Sequence, residues 1–330
     1  MQTIRNKLLK TAIRIILLLL AMFIIIAILV TQPVFSKRHP QQAISSIANL
    51  KKHVYMLSET IPQKTAMANL LDVKAEYIFE QLSQFGDKVS YQYYDVMGDT
   101  HKNIIVEYSG SNNNCGTYVI GAHYDTYSGF AGADDNSSGV AGIIELTNLF
   151  AQSQPACDIQ LVAYTLEEPP YFRSEHMGSF VHAQSLKNND VNVELMLSLE
   201  MIGYFSDEEN SQDYPVKGMK HLYSDKGNFI SLVGNLSQIG LTRFFKKSMR
   251  SSTDLPVYSI NAPSMVTGID FSDHLNYWQF DYPAIMVSDT AFNRNKNYHS
   301  QDDTADKLDY NRMAKVVDGV YYALLQHMEN

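Results

Sequence analysis

The chain has 330 residues, of which 45% are hydrophobic and 18% are charged, and its formal net charge is −9 at pH 7. This length and apolar content suffice for one main globular domain with a packed core. The acidic balance, and the lack of a basic cluster interleaved with aromatic residues in the polar part of the sequence, argue against nucleic-acid binding.

The N-terminal segment combines basic residues with a long apolar run. Arg5, Lys7, Lys10 and Arg14 precede residues 15–30, which are all apolar. This run is nearly long enough to cross a bilayer as a helix, and it exceeds the usual apolar core of a signal peptide. We therefore expect one transmembrane helix, an uncleaved single-pass anchor with the basic N-terminus in the cytoplasm and the remainder in the periplasm or outside the cell. A cleaved signal peptide is the alternative.

The order of the predicted elements indicates an α/β fold. We expect residues 1–35 to form the basic N-terminus and anchor, residues 36–44 a linker, and residues 45–330 the main domain. The first elements of this domain are helices at 43–60 and 66–85 and strands at 88–94 and 103–108. Next come strand 117–122, helix 137–151, strand 159–165, helix 176–186, strand 194–200, a polar loop at 205–222, strand 284–287 and a C-terminal helix. This alternation predicts a mixed, largely parallel sheet covered by helices on both faces.

The two cysteines, Cys115 and Cys157, each stand just before a predicted strand. If those strands are parallel neighbours, both sulfurs lie at the same end of the sheet, and an exported location would permit a disulfide. Two unrelated small core residues are the alternative, because the geometry that a disulfide needs cannot be judged from spacing.

Side chains of the metal-ligand type follow four of the predicted strands. They are His123 and Asp125 after the first, Glu167 and Glu168 after the second, Glu200 at the end of the third, and His299 beyond the fourth. Ligands of open α/β sheets bind beyond the carboxyl ends of the strands, so we expect these side chains to converge. Histidines and carboxylates without a nearby cysteine suit catalytic zinc, and two ions sharing a bridging carboxylate would offset the clustered negative charge.

Five motifs occur in order within residues 45–330. They are AHYDTYSGFAGADDNSSG, YTLEEPPYFRSEHMGS, LSLEMIGY, FSDH and NYHSQDDT. In order and spacing they resemble the M28 family of co-catalytic zinc peptidases, of the bacterial membrane-anchored aminopeptidase type. The resemblance implies a zinc exopeptidase-like fold, two zinc ions per chain and peptide substrates with a free N-terminus. It also implies the metal ligands, which are His123 and Glu200 for one ion, Glu168 and His299 for the other, and Asp135 as the bridge.

The resemblance assigns roles to two further acids. Glu167 is expected to be the general base that takes a proton from the attacking water. Asp125 is expected to accept the second ring N–H of His123 and so orient it. Glu200 departs from the commonest family pattern, which has aspartate at this position. We interpret it as a longer ligand arm, which leaves open whether both ions bind equally tightly.

The substrate pocket is less well defined by the motifs. Asp273 and His274 resemble a family motif that lines it, with a helix cap and a surface histidine as the alternative. Tyr298 either polarises the scissile carbonyl or packs against its neighbours. For Asp134 two roles are possible, a direct role in the metal site or that of an ordinary acid at the start of a helix. The resemblance also implies a cis peptide bond after Asp135.

The predicted function is a zinc-dependent aminopeptidase anchored in a bacterial inner membrane, with its catalytic domain in the periplasm or outside the cell. One alternative is a glutaminyl cyclase-like aminoacyltransferase with one zinc, and another is a non-enzymatic binding ectodomain of the same fold. A serine hydrolase is not expected, because the sequence has no G-x-S-x-G nucleophile motif. Side-chain specificity would depend on the loops at 205–222 and 250–271.

Overall fold

The structure is a computed structural model that describes residues 2–65, 67–86, 88–112 and 115–329. Eight strands within these residues form one sheet, and they are β1 (Lys88–Val96), β2 (Asp99–Tyr108), β3 (Thr117–His123), β4 (Ile159–Tyr164), β5 (Val193–Glu200), β6 (Ile230–Gly234), β7 (Val257–Asn261) and β8 (Ala284–Ser288). Their order across the sheet is β1-β2-β4-β3-β5-β8-β6-β7.

The α-helices of the described part lie before, between and after these strands. They are α1 (Gln2–Thr31), α2 (Ile47–Tyr55), α3 (Ile61–Lys64), α4 (Leu70–Leu82), α5 (Gly139–Ala151), α6 (Gly178–Asn188), α7 (Ile239–Ser252), α8 (His274–Gln279) and α9 (Tyr310–Met328). Two π-helical turns, Met56–Thr60 and Ala133–Ser138, extend α2 and precede α5.

The four central strands β4, β3, β5 and β8 run parallel to one another. The hairpin of β1 and β2 joins β4 in antiparallel orientation, and β6 joins β8 in the same way, with β7 parallel to β6. Continuous apolar sequence such as YVIGA in β3 is typical of strands buried on both faces. The predicted mixed, largely parallel sheet is confirmed.

Alternate residues of the central strands bury into two separate cores. Ile120 and Leu161 pack in the larger core, together with α2, α4, α5, α7 and α9. Their neighbours Val119 and Val162 point to the opposite face, where they pack with α6 and α8. Because side chains alternate along a strand, helices on both faces are needed to bury them all. The sheet is therefore the middle layer of the domain.

The segment from 223 to 283 differs most from the sequence-based expectation, because β6, α7 and β7 were not predicted. The two strands have five residues each, too few to show a clear period. The buried face of α7 includes the polar residues Thr242 and Lys246 beside Phe245 and Met249. The first predicted helix is also shorter than expected, because α2 begins at Ile47 and its path continues as the π turn Met56–Thr60.

A disulfide joins Cys115 and Cys157 in the structure. The strands that follow the two cysteines, β3 and β4, are parallel neighbours, with Tyr118 paired to Ile159. The cysteines consequently meet at the same end of the sheet, and of the two alternatives that the sequence allowed, the structure contains the disulfide.

Helix α1 is the part of the described chain that is long and apolar enough to cross a membrane, over Ile4–Thr31. Such a helix near the N-terminus is either an anchor or a signal sequence. Its carboxyl end contacts the domain. The Lys246 ammonium of α7 donates to the carbonyls of Thr31 (2.6 Å) and Gln32 (3.3 Å). The Gln32 side chain is 1% exposed, and its Oε1 accepts a hydrogen bond from the Thr242 hydroxyl over 2.9 Å.

Gly121 in the central strand β3 provides a test of how tightly the smaller core is packed. A Cβ atom at this position would collide with the ring of Tyr164, whose hydroxyl bonds with that of Tyr277. We expect Gly121→Ala to lower the free energy of unfolding by ~1–3 kcal/mol, measured by urea denaturation, because the ring cannot move without breaking this bond. Gly240→Ala is the control, since nothing lies within 4 Å of its Cβ position. Equal stability of the two variants would contradict the packing described here.

Candidate metal centre

The carboxyl ends of the four central strands meet at one edge of the sheet, because these strands are parallel neighbours. His123 is the last residue of β3, and Glu200 is the last of β5. Glu167 and Glu168 lie just beyond β4, and His299 lies in the segment that follows β8. The structure thus brings together the side chains that the sequence analysis placed at strand ends.

Two groups of side chains at this edge could each hold a metal ion. The first contains His123, Asp135 and Glu200, and the second contains Asp135, Glu168 and His299. Within each group the candidate ligand atoms all lie within 4.8 Å of one another. His123 Nε2 is 3.3 Å from Glu200 Oε2, and His299 Nε2 is 3.1 Å from Glu168 Oε2. Both groups therefore combine one histidine with two carboxylates.

Asp135 belongs to both groups and presents one oxygen to each. Its Oδ1 is 3.5 Å from His123 Nε2, and its Oδ2 is 3.2 Å from His299 Nε2. A carboxylate in this position can bridge two ions, as two-metal sites require. The residue lies in the π turn Ala133–Ser138, and its peptide bond to Asn136 is cis, as the family resemblance implies.

The chemistry of these side chains fits a metal ion. The Nε2 atoms of His123 and His299 and the Oε1 atom of Glu168 are buried, and they have no hydrogen-bond partner among the described residues. Leaving buried polar atoms unpaired is costly, whereas coordination to zinc would satisfy both imidazole nitrogens and the carboxylate. The donor set of nitrogen and oxygen without thiolate matches catalytic rather than structural zinc sites.

Burial and mutual repulsion oppose ionisation of the acids at this edge. Burial, reinforced by the nearby Asp135, raises the pKa of Glu168 to about 7. Burial also raises the pKa of Glu167 well above its usual value. Burial alone would raise the pKa of Asp135 too, but its contacts with His123 and His299 lower it to about 2. Cations among these carboxylates would offset the repulsion.

Asp125 positions the surrounding backbone in a way that the sequence did not predict. His123 Nδ1 lies 3.2 Å from the backbone carbonyl of Asp125 and 3.5 Å from its Oδ1. The carboxylate oxygens instead accept the backbone N–H groups of Glu167 (3.2 Å) and Glu168 (3.0 Å). Asp125 thus orients the histidine ring mainly through its carbonyl, while its side chain positions the two glutamates beyond β4.

Three residues that the sequence analysis did not assign hold the candidate ligands in place. Ser272 Oγ donates to Glu200 Oε2 over 2.8 Å, and Asp303 Oδ2 accepts the backbone N–H of Asp135 over 3.1 Å. The side chain of Asn136 bonds with the backbone on both sides of Glu200. All three residues lie within or beside recognised motifs, but only the contacts reveal which atoms they bind.

His299 is held between two tyrosine rings. The ring of Tyr298 stacks on the imidazole with centroids 3.7 Å apart and an interplanar angle of 16°. The ring of Tyr127 also stacks on it, with centroids 4.1 Å apart and an interplanar angle of 8°. This stacking restricts the orientation of the imidazole, and the part played by Tyr127 was missed from the sequence. Burial, followed by the nearby acids, raises the pKa of Tyr298, so its hydroxyl remains a hydrogen-bond donor.

Asp134 is fully buried and serves to hold loops together. Its Oδ1 accepts the backbone N–H of Gly203 over 3.0 Å, and its Oδ2 accepts from Asn295 Nδ2 over 3.0 Å. Burial and the neighbouring carboxyl of Asp289 raise its pKa well above the usual value. The residue therefore ties the π turn before α5 to the segments that follow β5 and β8.

Three non-glycine residues at the site adopt the left-handed backbone conformation. They are Leu166, Met201 and His299, with φ values of 62°, 50° and 53°. Each such residue costs ~1–3 kcal/mol, so the surrounding contacts must enforce it. Leu166 directly precedes Glu167, and Met201 directly follows Glu200. The strain thus turns the chain sharply at strand ends and directs the acids toward one point.

A cavity of about 90 Å³ lies beside the metal centre. Glu200 and Tyr298 contribute to its wall on the side of the candidate ligands. The rest of the lining is mostly apolar and includes Phe229, Val233, Tyr258, Ile260, Phe271 and Met286. These residues come from β6, β7, β8 and neighbouring loops, so the cavity is built largely by the segment that the sequence analysis did not resolve.

Asp273 and His274 stand at the start of α8, and neither is among the residues that line this cavity. Both are fully buried, so the alternative of a surface histidine is wrong. His274 Nε2 lies 2.8 Å from the carbonyl of Ile269, and burial lowers the pKa of His274 to about 4. Burial raises the pKa of Asp273 to about 7, and His123 lies near enough to oppose that rise. Both residues therefore lie in the interior, and their role in the substrate pocket stays a prediction.

Paired groups of histidines and carboxylates at the carboxyl edge of a parallel sheet define a metal-binding α/β protein. The profile of Peptidase family M28 matches residues 103–324. The chain therefore belongs to peptidase family M28, as its motifs predicted.

Three curated relatives show how close the similarity is. The chain is 45% identical to "Uncharacterized protein YfbL" of Escherichia coli K12 over 312 residues, which are 92% of this chain and 95% of that protein. It is 26% identical to "Leucine aminopeptidase 1" of Penicillium rubens over 220 residues, 64% of this chain and 52% of the relative. It is 27% identical to a "Probable zinc metalloprotease" of Pyrenophora tritici-repentis over 224 residues, which are 62% of this chain and 44% of the relative. The chain thus spans about half the length of the two fungal relatives.

Solved structures share the fold. The LapA aminopeptidase of Legionella pneumophila superposes with a TM-score of 0.65 at 19% identity, over 86% of this chain and 70% of that chain. The glutaminyl cyclase of Porphyromonas gingivalis superposes with a TM-score of 0.61 at 19% identity, over 86% of this chain and 99% of that chain. Identities this low demonstrate a common fold alone. The family and the metalloprotease relatives together support a zinc-dependent hydrolase.

Proposed function

We propose that this protein is an aminopeptidase with two zinc ions, which hydrolyses the first residue from peptides with a free N-terminus. The observation that carries the proposal is the position of Asp135, which presents one oxygen to each of two histidine and carboxylate groups. His123 and Glu200 would hold one ion and Glu168 and His299 the other. When bound, the ions would act as Lewis acids on the scissile carbonyl and lower the pKa of a water molecule.

Glu167 has the properties of a general base for this reaction. Its Oε2 lies 3.8 Å from His123 Nε2, and the residue is 7% exposed. Its raised pKa makes the carboxylate a better proton acceptor than an exposed glutamate. Glu167 would take a proton from the attacking water and pass it to the nitrogen of the leaving amine. Backbone bonds to Asp125 keep this segment in position.

The cavity beside Glu200 supports cleavage next to the N-terminus. Its volume of about 90 Å³ suits the side chain of one residue beside the scissile bond. The apolar lining favours leucine-like or aromatic first residues, because burying them removes apolar surface from water. The leucine aminopeptidase name of the Penicillium rubens relative agrees with this preference.

A glutaminyl cyclase is the second candidate, because a solved glutaminyl cyclase shares the fold over most of this chain. Such an enzyme would close an N-terminal glutamine onto its own amine with one zinc. The presence of both complete ligand groups favours two ions and hydrolysis here. The mostly apolar cavity lining also gives less support to a glutamine side chain than to a leucine.

Replacing the proposed base separates catalysis from metal binding. We expect Glu167→Gln to lower kcat on leucine anilide by about 100- to 10,000-fold, because the amide cannot accept the proton. Two equivalents of zinc per chain, counted by elemental analysis, should remain in this variant. Glu175→Gln changes an exposed glutamate of the same segment and should leave the rate unchanged. Full turnover by Glu167→Gln would show that another group is the base.

A substrate panel tests the type of reaction. We expect the zinc-loaded protein to hydrolyse leucine and phenylalanine anilides, to hydrolyse aspartate and lysine anilides more slowly, and to leave N-acetyl-leucine anilide intact. The acetylated substrate should resist hydrolysis because an aminopeptidase requires a free amine on the first residue. A peptide with N-terminal glutamine, followed by mass spectrometry, distinguishes the two reactions: cyclisation releases ammonia and keeps the chain intact, whereas hydrolysis consumes water and releases free glutamine. Cleavage of the acetylated substrate, or cyclisation alone, would contradict the aminopeptidase proposal.

We also propose that α1 is retained as an anchor in a bacterial inner membrane, with the domain in the periplasm or outside the cell. The support is the buried Gln32 and the bonds from Lys246 to the last carbonyls of the helix. Cleavage after Thr31 would remove the carbonyl that accepts the shorter hydrogen bond from Lys246, at a cost of ~1–3 kcal/mol.

Mass spectrometry of the protein isolated from membranes tests whether the anchor is retained. We expect the mass of the full 330-residue chain, resistance to extraction by alkaline carbonate, and digestion of the domain by protease added to spheroplasts. A mature chain that begins after residue 31, or a domain that is protected from the protease, would contradict the proposal.

A further inference from the structure

A groove of about 510 Å³ borders the metal centre opposite the apolar cavity. Glu168 and Asp125 line the groove, whereas Glu200 lines the cavity. Glu168 follows β4 and Glu200 ends β5, and these strands lie on opposite sides of β3. The cavity and the groove therefore flank the metal centre. The other walls of the groove come from α4 and from the segments after β3 and β4.

Lys74 of α4 places a buried cation in this groove. The residue is 1% exposed and lines the groove, yet its ammonium forms no hydrogen bond or ion pair with the residues that the structure describes. Asp125 attracts it, but that carboxylate already accepts the backbone N–H groups of Glu167 and Glu168. Burial lowers the pKa of Lys74 to about 8, so most of the side chain stays charged at neutral pH. A desolvated ammonium with three free donors favours an anionic partner.

We propose that Lys74 binds a carboxylate on the residue that follows the scissile bond. This inference rests on the proposed aminopeptidase function. With the first side chain in the cavity and the peptide bond at the metal centre, the following residue extends past Glu168 into the groove. Its carboxylate is either the free terminus of a dipeptide or an aspartate or glutamate side chain. The apolar neighbours Leu71, Leu166 and Pro169 strengthen the interaction, because they lower the local dielectric.

A purely structural role makes a different prediction. If Lys74 only balanced the charge of Asp125, its replacement would shift zinc binding or stability and would slow all substrates alike. A carboxylate site instead discriminates between substrates that differ by one charge. The comparison must therefore be between matched acids and amides, with KM and kcat measured separately.

The experiment uses the full-length, zinc-loaded protein in detergent with four peptides, Leu-Gly, Leu-Gly-amide, Leu-Asp-amide and Leu-Asn-amide. We expect the wild type to prefer the acid by about 10- to 100-fold in kcat/KM within at least one of the two pairs. The first pair reports the free terminus, and the second reports the side chain. Lys74→Met should remove the preference, chiefly through KM, and Lys64→Met, at an exposed position, should retain it.

The outcomes separate this inference from the proposed function. A wild type that hydrolyses acids and amides equally, or a Lys74→Met variant that slows both alike, overturns the carboxylate site and leaves the aminopeptidase intact. A wild type that hydrolyses none of the four peptides overturns the function and the inference with it. Lys74→Gln is the second variant if Lys74→Met fails to fold, and the absence of any acid preference in the wild type overturns the inference without a variant.

Discussion

The arrangement of this protein depends on one electrostatic constraint, the burial of several carboxylates at a single edge of the sheet. Asp135, Glu167, Glu168 and Glu200 are each at most 7% exposed, and their charges would repel one another at close range. Folding can hold them there only if protons or cations offset that charge. The two histidines, each with a buried and unpaired Nε2 atom, complete a set of ligands for which cations are the better solution.

Hydrogen bonds to the backbone hold this edge of the sheet together independently of any bound metal. Asp125 accepts from the backbone beyond β4, Asp134 from the backbone beyond β5, and Asp303 from the π turn that carries Asp135. Each of these acids therefore joins two segments that are distant in sequence. The many acids of the motifs divide into those that can bind metal and those that position the binders.

The sequence predicted the parallel sheet because its central strands are long apolar runs alternating with helices. It also predicted which side chains meet, because parallel strands end at one edge. It did not predict that Asp125 would use its carbonyl toward His123, or that Tyr127 would stack on His299, since both depend on loop conformation. The segment with β6, α7 and β7 was missed because its strands are short and its helix buries polar residues such as Lys246. The sequence pattern is therefore clearest in the elements whose residues are buried at regular intervals.

The parts of the fold that could be predicted differ from the others in what they contribute to the site. The candidate ligands lie at or beyond the carboxyl ends of the central strands, whose burial on both faces produces regular patterns in the sequence. The cavity beside Glu200 is lined mainly by the later strands and loops, and the groove with Lys74 is lined by α4 and by the loops after β3 and β4. Lys74 illustrates the difficulty, because within an amphipathic helix it looks like any exposed lysine until its burial is known. Features that would select a substrate therefore lie where a single sequence is least informative, while those that would perform the chemistry lie where it is most informative.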